Sequence, residues 1–247
     1  PTGKLASLLE PKSAAIIGVS ERNQNMGRII LGNMLAGGFD PGSLNIIHPG
    51  AETIDGVGCV KSVTDLPGKV DLFVVAVGAE QVSPVIDELI EHDKADAVIL
   101  IPGGIGEKEG SDRLEAGLMD RIRASHLEEG GGPLFLGGNS LGVISRPGRY
   151  DTMFIPDSKL PKPRDGEPSG LCFISQSGAF IVSTMSDEPW LDPTYALSIG
   201  NQIDLTAGDL LAYLKDDPRI DVFAVYIEGF RPYDGCAFAE AVRETVA

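Results

Sequence analysis

The stretch Phe173-Ile174-Ser175-Gln176-Ser177-Gly178-Ala179 lies where an apolar run, residues 171–174, breaks into small polar residues ahead of a second apolar segment, 180–185. That pattern predicts a strand, a tight turn and the start of a helix. Free backbone N–H groups at a helix N-terminus, beside two hydroxyls and a glycine that admits a ligand closely, form a ready place for an anion, and phosphate is the first candidate. The plainer reading is that Ser175 or Ser177 caps the helix and does nothing else. The rest of the chain has to choose between them.

The 247 residues, 43% of them hydrophobic, are enough for one large core or two modest ones. No window approaches the ~18–20 uninterrupted apolar residues of a membrane span, and the start lacks the charged-then-apolar pattern of an export signal, so a cytoplasmic protein is expected. Cys59, Cys172 and Cys236 lie far apart, which predicts free thiols and neither a zinc site nor a disulfide framework. A formal net charge of −16 argues against a nucleic acid or an anionic membrane as partner, because both need a basic face. Any anionic ligand has to be held locally, by helix N-termini and backbone amides.

Moving outward from the opening stretch, strand and helix patterns alternate along the chain. A short helix, Leu5-Ala6-Ser7-Leu8-Leu9, is stopped by Pro11. Residues 13–19 read as a strand, 18–27 as a polar loop bounded by glycines, 28–36 as a helix closed by Gly37-Gly38, and 44–47 as the next strand. This is a βαβ unit, expected to be parallel and right-handed. Strands over 71–77, 97–101 and 134–136 follow, separated by helices over 81–91 and 110–123. In such a sheet ligands bind beyond the carboxyl ends of the strands, here the glycine-rich segments 18–27, 48–51, 76–79, 102–106 and 138–140. Together they predict a long groove lined by backbone, although each taken singly is only the glycine that a tight turn needs.

Two details weigh against NAD in that groove. The loop does not have the G-x-G-x-x-G spacing, and the second strand ends in Ile47-His48-Pro49-Gly50 where an acid for the ribose hydroxyls is wanted. A nucleotide with a phosphorylated ribose suits that end better, and His48 is either a donor to it or a plain turn residue. Prolines among charged residues over 145–168 read as a surface linker. A second α/β unit then begins, with strands over 171–174, 195–199 and 222–227, a helix over 206–215 and one helix more. So few strands mean either an unusually small second domain or a fragment, and the start at Pro1 favours the fragment.

Ser175-Gln176-Ser177-Gly178 lacks the G-x-S-x-G of a nucleophile elbow, so a serine hydrolase is not expected. His48, His92 and His126 have no metal-ligand spacing; His92 and His126 read as solvated helix-end residues. Glu228 closes an apolar strand at the same rim as Ser175, where it either orients a cationic or imidazole group or faces water; Asp204 reads as a helix cap.

In this order, Ala15-Ile16-Ile17-Gly18-Val19-Ser20 with Gly27-Arg28, Asp71-Leu72-Phe73-Val74-Val75-Ala76-Val77, Gly138-Asn139-Ser140-Leu141-Gly142-Val143-Ile144, the opening stretch, Ser198-Ile199-Gly200-Asn201 with Asp209-Leu210-Leu211-Ala212-Tyr213-Leu214, and Tyr226-Ile227-Glu228-Gly229 resemble the NDP-forming acyl-CoA synthetases. That superfamily includes the succinyl-CoA synthetase α subunit and the ADP-forming acetate–CoA ligases. The resemblance covers nearly the whole chain. It implies an α/β protein with a Rossmann-like CoA-binding domain at 1–147, a linker at 148–168, and a partial flavodoxin-like ligase domain at 169–247.

The resemblance places coenzyme A against Gly18, Ser20, Arg22, Asn25, Gly27, His48, Pro49, Ala76, Val77, Pro102, Gly103, Gly104, Asn139 and Ser140. It gives Ser177 and Gly178 the support of a phosphohistidine and Glu228 the steadying of that histidine. The implied reaction is reversible: acid, CoA and ATP become acyl-CoA, ADP and phosphate through an acyl phosphate and the phosphohistidine. ADP/ATP or GDP/GTP, with Mg2+, would enter through an ATP-grasp subunit or fused domain, and the full protein would be an oligomer. No metal site is expected in this chain.

Three departures qualify the likeness. Gly138 stands where relatives often carry proline, which should loosen that loop, and His48-Pro49-Gly50 lacks the lysine of an N-P-K turn. The phosphorylated histidine is expected beyond Ala247, and none of the three histidines present matches it. The chain is thus expected to bind CoA or acyl-CoA without turning over. The alternatives are a CoA-sensing regulatory module, like the ligase-like region of some protein acetyltransferases, and an NAD(P)-binding protein.

Overall fold

The computed structural model describes residues 2–106, 112–231 and 233–246, which form two sheets with helices on their faces. The first sheet contains β1 (Ala14–Ile17), β2 (Leu44–Ile47), β3 (Thr53–Ile54), β4 (Val57–Val60), β5 (Val70–Val75), β6 (Ala95–Leu100) and β7 (Leu134–Gly137). It is seven-stranded in the order β3-β4-β2-β1-β5-β6-β7, parallel except for the antiparallel edge strand β3. Counting the parallel strands alone, the order is 3-2-1-4-5-6, that of a doubly wound dinucleotide-binding fold. Past Asp71 and Asp96 at their second positions, strands β5 and β6 are continuous apolar runs because both of their faces are covered.

Helix α1 (Leu5–Leu9) buries Leu5, Leu8 and Leu9, and α2 (Met26–Ala36) buries Ile30, Leu31 and Met34 in the same core. On the other face, α3 (Ala79–Glu91) sets Val82, Val85, Ile86 and Leu89 against β5 and β6, and α4 (Asp112–His126) adds Leu118 and Ile122. The expected start of that last helix at Gly110 and Ser111 lies outside the described residues.

The second sheet contains β8 (Val143–Ser145), β9 (Tyr150–Asp151), β10 (Leu171–Ser175), β11 (Tyr195–Ser198) and β12 (Val222–Tyr226), in the order β12-β10-β11-β8-β9. Its parallel part runs β11-β10-β12, or 2-1-3, as a flavodoxin-like sheet begins. Helices α5 (Gly178–Asp187), α6 (Ala207–Leu214) and α7 (Asp234–Thr245) flank it.

Here the structure departs from the expected surface linker over 148–168. Strand β8 pairs antiparallel with β11, and β9 with β8, so the segment after β7 is built into the second sheet. Tyr150, Asp151, Met153 and Leu160 are buried. The prolines punctuate a packed strap. Lys162 reaches into it to meet the Asp151 carboxylate at 2.7 Å, where an unpaired buried charge would be costly.

The two sheets are joined by polar groups sealed in the core. Tyr150 donates its hydroxyl to the Leu8 carbonyl at 2.6 Å, Ser145 to that of Leu9 at 2.6 Å, and Asn33 its amide to those of Met153 and Ile155 at 2.6 and 3.0 Å. The free edge of β7 is covered by the chain that follows β11, where Ile203 N–H donates to Gly137 and Leu205 N–H to Phe135.

Candidate functional site

The strand order reverses between β1 and β5, and the loops leaving those strands meet backbone to backbone. Gly18 has φ +99°, and a Cβ there would overlap the Ala76 carbonyl. A Cβ on Gly27 would stand 2.5 Å from the Gly18 carbonyl oxygen, so the first turn of α2 is drawn onto the end of β1. Only glycine permits both approaches.

Asn25 fastens this corner. Its side-chain oxygen accepts from Arg28 N–H at 2.9 Å and Ser20 N–H at 3.2 Å, while its amide donates to the Gly18 carbonyl at 2.7 Å. The Ser20 hydroxyl accepts from Asn23 N–H at 3.0 Å. Arg28, which the sequence offered only as a helix start, donates to the Ser20 and Glu21 carbonyls and pairs with Asp55 at 2.6 Å. Arg22 is exposed.

Beside this corner lies a cleft of about 370 Å³, bounded by Gly18, His48, Pro49, Lys61, Val77 and Gln81. The His48 Nδ1 accepts from the N–H groups of Gly50 and Ala51 at 3.2 and 2.9 Å, which places the ring proton on Nε2. His48 is therefore a turn residue, and its Nε2–H is left out of that turn.

Of the remaining rim residues, Ala76 belongs to this corner and the others lie further along. Ala76 is buried beneath the switch point, where its N–H pairs with the Ile17 carbonyl. Pro102, Gly103 and Gly104 continue from β6, and Asn139 N–H donates to the Pro102 carbonyl at 2.9 Å. The Ser140 hydroxyl is buried, donating to the Ser198 carbonyl at 2.6 Å and accepting from Gly142 N–H at 3.0 Å, so it works inside the joint between the sheets. Gly138 does not loosen its loop: Asn201 N–H donates to its carbonyl at 2.8 Å, and Gly200 packs so tightly there that a Cβ would collide.

At the second rim, Ser177 caps α5, its hydroxyl accepting from Phe180 N–H at 3.3 Å, and Gly178 opens the helix with no room for a side chain beside Leu141. Ser175 is buried and donates to the Ser177 carbonyl at 2.7 Å. Glu228 is exposed beyond β12, beside the turn because β10 and β12 pair in register. Gln176 ties the two together, its side-chain oxygen accepting from Glu228 N–H at 2.8 Å and Gly229 N–H at 3.1 Å. Phe180 and Tyr226 stack at 4.3 Å along the same rim. The N–H groups of Gly178 and Ala179 belong to the first turn, where a helix offers donors to an anion.

Two sequence readings are corrected here. His126 is no solvated helix end: its Nε2 lies 3.0 Å from Asp204 Oδ1 and its Nδ1 2.8 Å from the Gly131 carbonyl. Asp204 is not a cap either. Thr206 caps α6 in a capping box with Asp209, and Asp204 accepts from Phe135 N–H at 2.9 Å. Among the described residues no cluster of His, Cys, Asp or Glu could hold a metal ion, and no helix is long and apolar enough to cross a membrane.

Comparison with known proteins gives the class. Residues 12–133 match the family model of a CoA binding domain, and 168–247 that of the succinyl-CoA ligase like flavodoxin domain. The chain is 31% identical to the α subunit of ADP-forming acetate–CoA ligase I of Pyrococcus furiosus, over 97% of this chain and 50% of that protein. It is 29% identical to an ADP-forming 4-hydroxybutyrate–CoA ligase of Nitrosopumilus maritimus, over 90% of this chain and 30% of the other.

A solved structure of acetyl-coenzyme A synthetase 1 of Ca. Korarchaeum cryptofilum, in complex with phosphate and ADP, superposes with a TM-score of 0.85 at 30% identity, covering 98% of this chain and 49% of that one. The chain belongs to the NDP-forming acyl-CoA synthetases. It spans about half the length of the Pyrococcus furiosus and Korarchaeum proteins it matches.

Proposed function

We propose that this chain is the CoA-binding and ligase-like part of an ADP-forming acid–CoA ligase. The observation that carries the proposal is the pair of glycines, Gly18 and Gly27, that bring the start of α2 onto the switch point of a 3-2-1-4-5-6 sheet. A phosphate-bearing ligand can approach the backbone donors at the start of α2, which a side chain at either glycine would push out of place. CoA lies along the first rim, with its nucleotide end in the cleft beside His48 and Pro49 and the rim over 102–104 and Asn139 further along. The N-terminus of α5, with Ser177 and Gly178, receives the phosphoryl group of a phosphohistidine, and Glu228 orients the imidazole.

The histidine, the nucleotide and its Mg2+ come from other parts of the whole protein, as a fused domain or as a partner subunit such as the name of the Pyrococcus relative implies. Within this chain the residues bind and orient: the α2 corner holds phosphate, and the α5 turn holds the transferred group. The acyl group stays open, since relatives are named for acetate and 4-hydroxybutyrate alike. A cytoplasmic, oligomeric protein fits this reading.

Calorimetric titration of the chain with CoA, acetyl-CoA and NAD, each separately, tests the proposal. CoA and acetyl-CoA are expected to bind and NAD is not. Binding of NAD alone would overturn it.

A further inference from the structure

We infer that Arg231 is a positioning residue that locks the loop carrying Glu228 to the rim of the first sheet, and so fixes the register between the two candidate half-sites. This rests on the reading of the two rims proposed above. Arg231 lies just past Glu228, and its guanidinium spans both units. Nε donates to the Gln202 carbonyl at 2.9 Å and the Asn201 carbonyl at 3.2 Å, and Nη2 to the Asn201 carbonyl at 2.9 Å. Nη2 also meets Glu115 Oε1 at 2.6 Å, and Nη1 meets Met119 Sδ at 3.4 Å. Glu115 and Met119 sit one turn apart on α4, on the far side of the joint.

The contacts continue into both rims. The second oxygen of Glu115 lies against Gly106, which has φ +85°, so closely that a Cβ there would overlap it. Asn201, whose carbonyl Arg231 holds, donates its side-chain amide to the Ile105 carbonyl at 3.0 Å. On the other side, Gln202 donates to the Gly229 carbonyl at 3.4 Å, and Gln176 holds the N–H groups of Glu228 and Gly229. One side chain thus sits where the end of the first rim, 105–106, meets the Glu228 loop.

An exposed ion pair would contribute little, but this one is mostly covered, with side-chain exposures of 30% for Arg231 and 19% for Glu115. It is also combined with hydrogen bonds to two carbonyls. Lysine has the charge for Glu115 but cannot reach the carbonyls at the same time.

The test compares the full chain with Arg231→Ala, Arg231→Lys and Glu115→Gln, by amide exchange with and without CoA and by CoA titration. CoA should protect the loop over 18–27 in every variant, and in the unaltered chain it should also slow exchange over 226–231. In Arg231→Ala and Glu115→Gln that transmitted protection should vanish, with CoA affinity lower by about tenfold, within the range for coupling through a contact network. Arg231→Lys should fall between. A merely structural ion pair would lower the melting temperature and leave the transmitted protection intact, which would overturn the inference.

If the unaltered chain takes up no CoA, the reading of the groove fails by itself. The lock is then decided by ligand-free exchange over 103–106, expected to quicken in both variants and fatal to the inference if unchanged. If Arg231→Ala does not fold, Glu115→Gln decides.

Discussion

At Gly27 a single added carbon would stand 2.5 Å from the Gly18 carbonyl oxygen and 2.8 Å from the Val19 nitrogen. These are backbone atoms and cannot swing aside, so α2 would have to move away from β1. Gly27→Ala is therefore expected to cost about 1–3 kcal/mol in stability and to weaken CoA binding by about tenfold or more, since donors displaced by even an ångström lose their geometry. Lys61 on the cleft wall supplies the comparison: Lys61→Ala should leave affinity nearly unchanged if backbone amides hold the phosphates. Calorimetry on the two variants decides, and equal losses would show that side-chain charge does the holding. The sequence disclosed Gly18 and Gly27 because a glycine in a β-to-α loop is visible as a letter. It disclosed nothing of Arg231 and only a motif place for Asn201, because their partners Glu115 and Ile105 lie far away along the chain and are brought near only by the joint between the sheets.

Helix α4 and the segment after β11 meet through His126 and Asp204, each with less than 15% of its side chain exposed. The Asp204 hydrogen bond, aided by the Gly131 carbonyl and opposed by partial burial, raises the His126 imidazolium above its ordinary range. The folded state then holds the proton more tightly than the unfolded one. The pair's stabilisation is complete below the ordinary histidine value of about 6.5 and is lost as pH rises through the raised folded value. Urea unfolding at about pH 5.5 and about pH 8.5 should show this contribution falling with pH, and His126→Asn should flatten it; an unchanged slope in the variant would place the dependence on other groups. Legibility at this scale follows the same physics. Helices such as α3, with its apolar stripe, and parallel strands such as β5 and β6 are written in local pattern. Strands β3, β8 and β9 are two or three residues long and exist because distant partners pair with them, so 148–168 read as a linker where the fold makes a strap.

One apolar cluster runs from α1 and β1 through Tyr150 to β10, β11 and α6, so the units built on the two sheets share a core as well as the buried hydrogen bonds of Tyr150, Ser145 and Asn33. A molecule joined in this way presents its charge as a whole, and the formal net charge is −16. A CoA-sized anion approaching the first rim is repelled at long range, while the amides of α2 attract it only within the first turn. Salt separates these two effects by distance. With a Debye length of about 30 Å at 0.01 M and about 8 Å at 0.15 M, added salt removes the repulsion from remote carboxylates before it weakens contacts at hydrogen-bond range. CoA affinity should therefore hold level or rise between about 0.02 and 0.2 M salt, and association should quicken. A site built from lysine and arginine would behave oppositely, losing affinity steadily as salt is added. Titrations and stopped-flow association across that range distinguish the two, and a steep fall would mean that the phosphates sit on side-chain cations and not on the glycine-built end of α2.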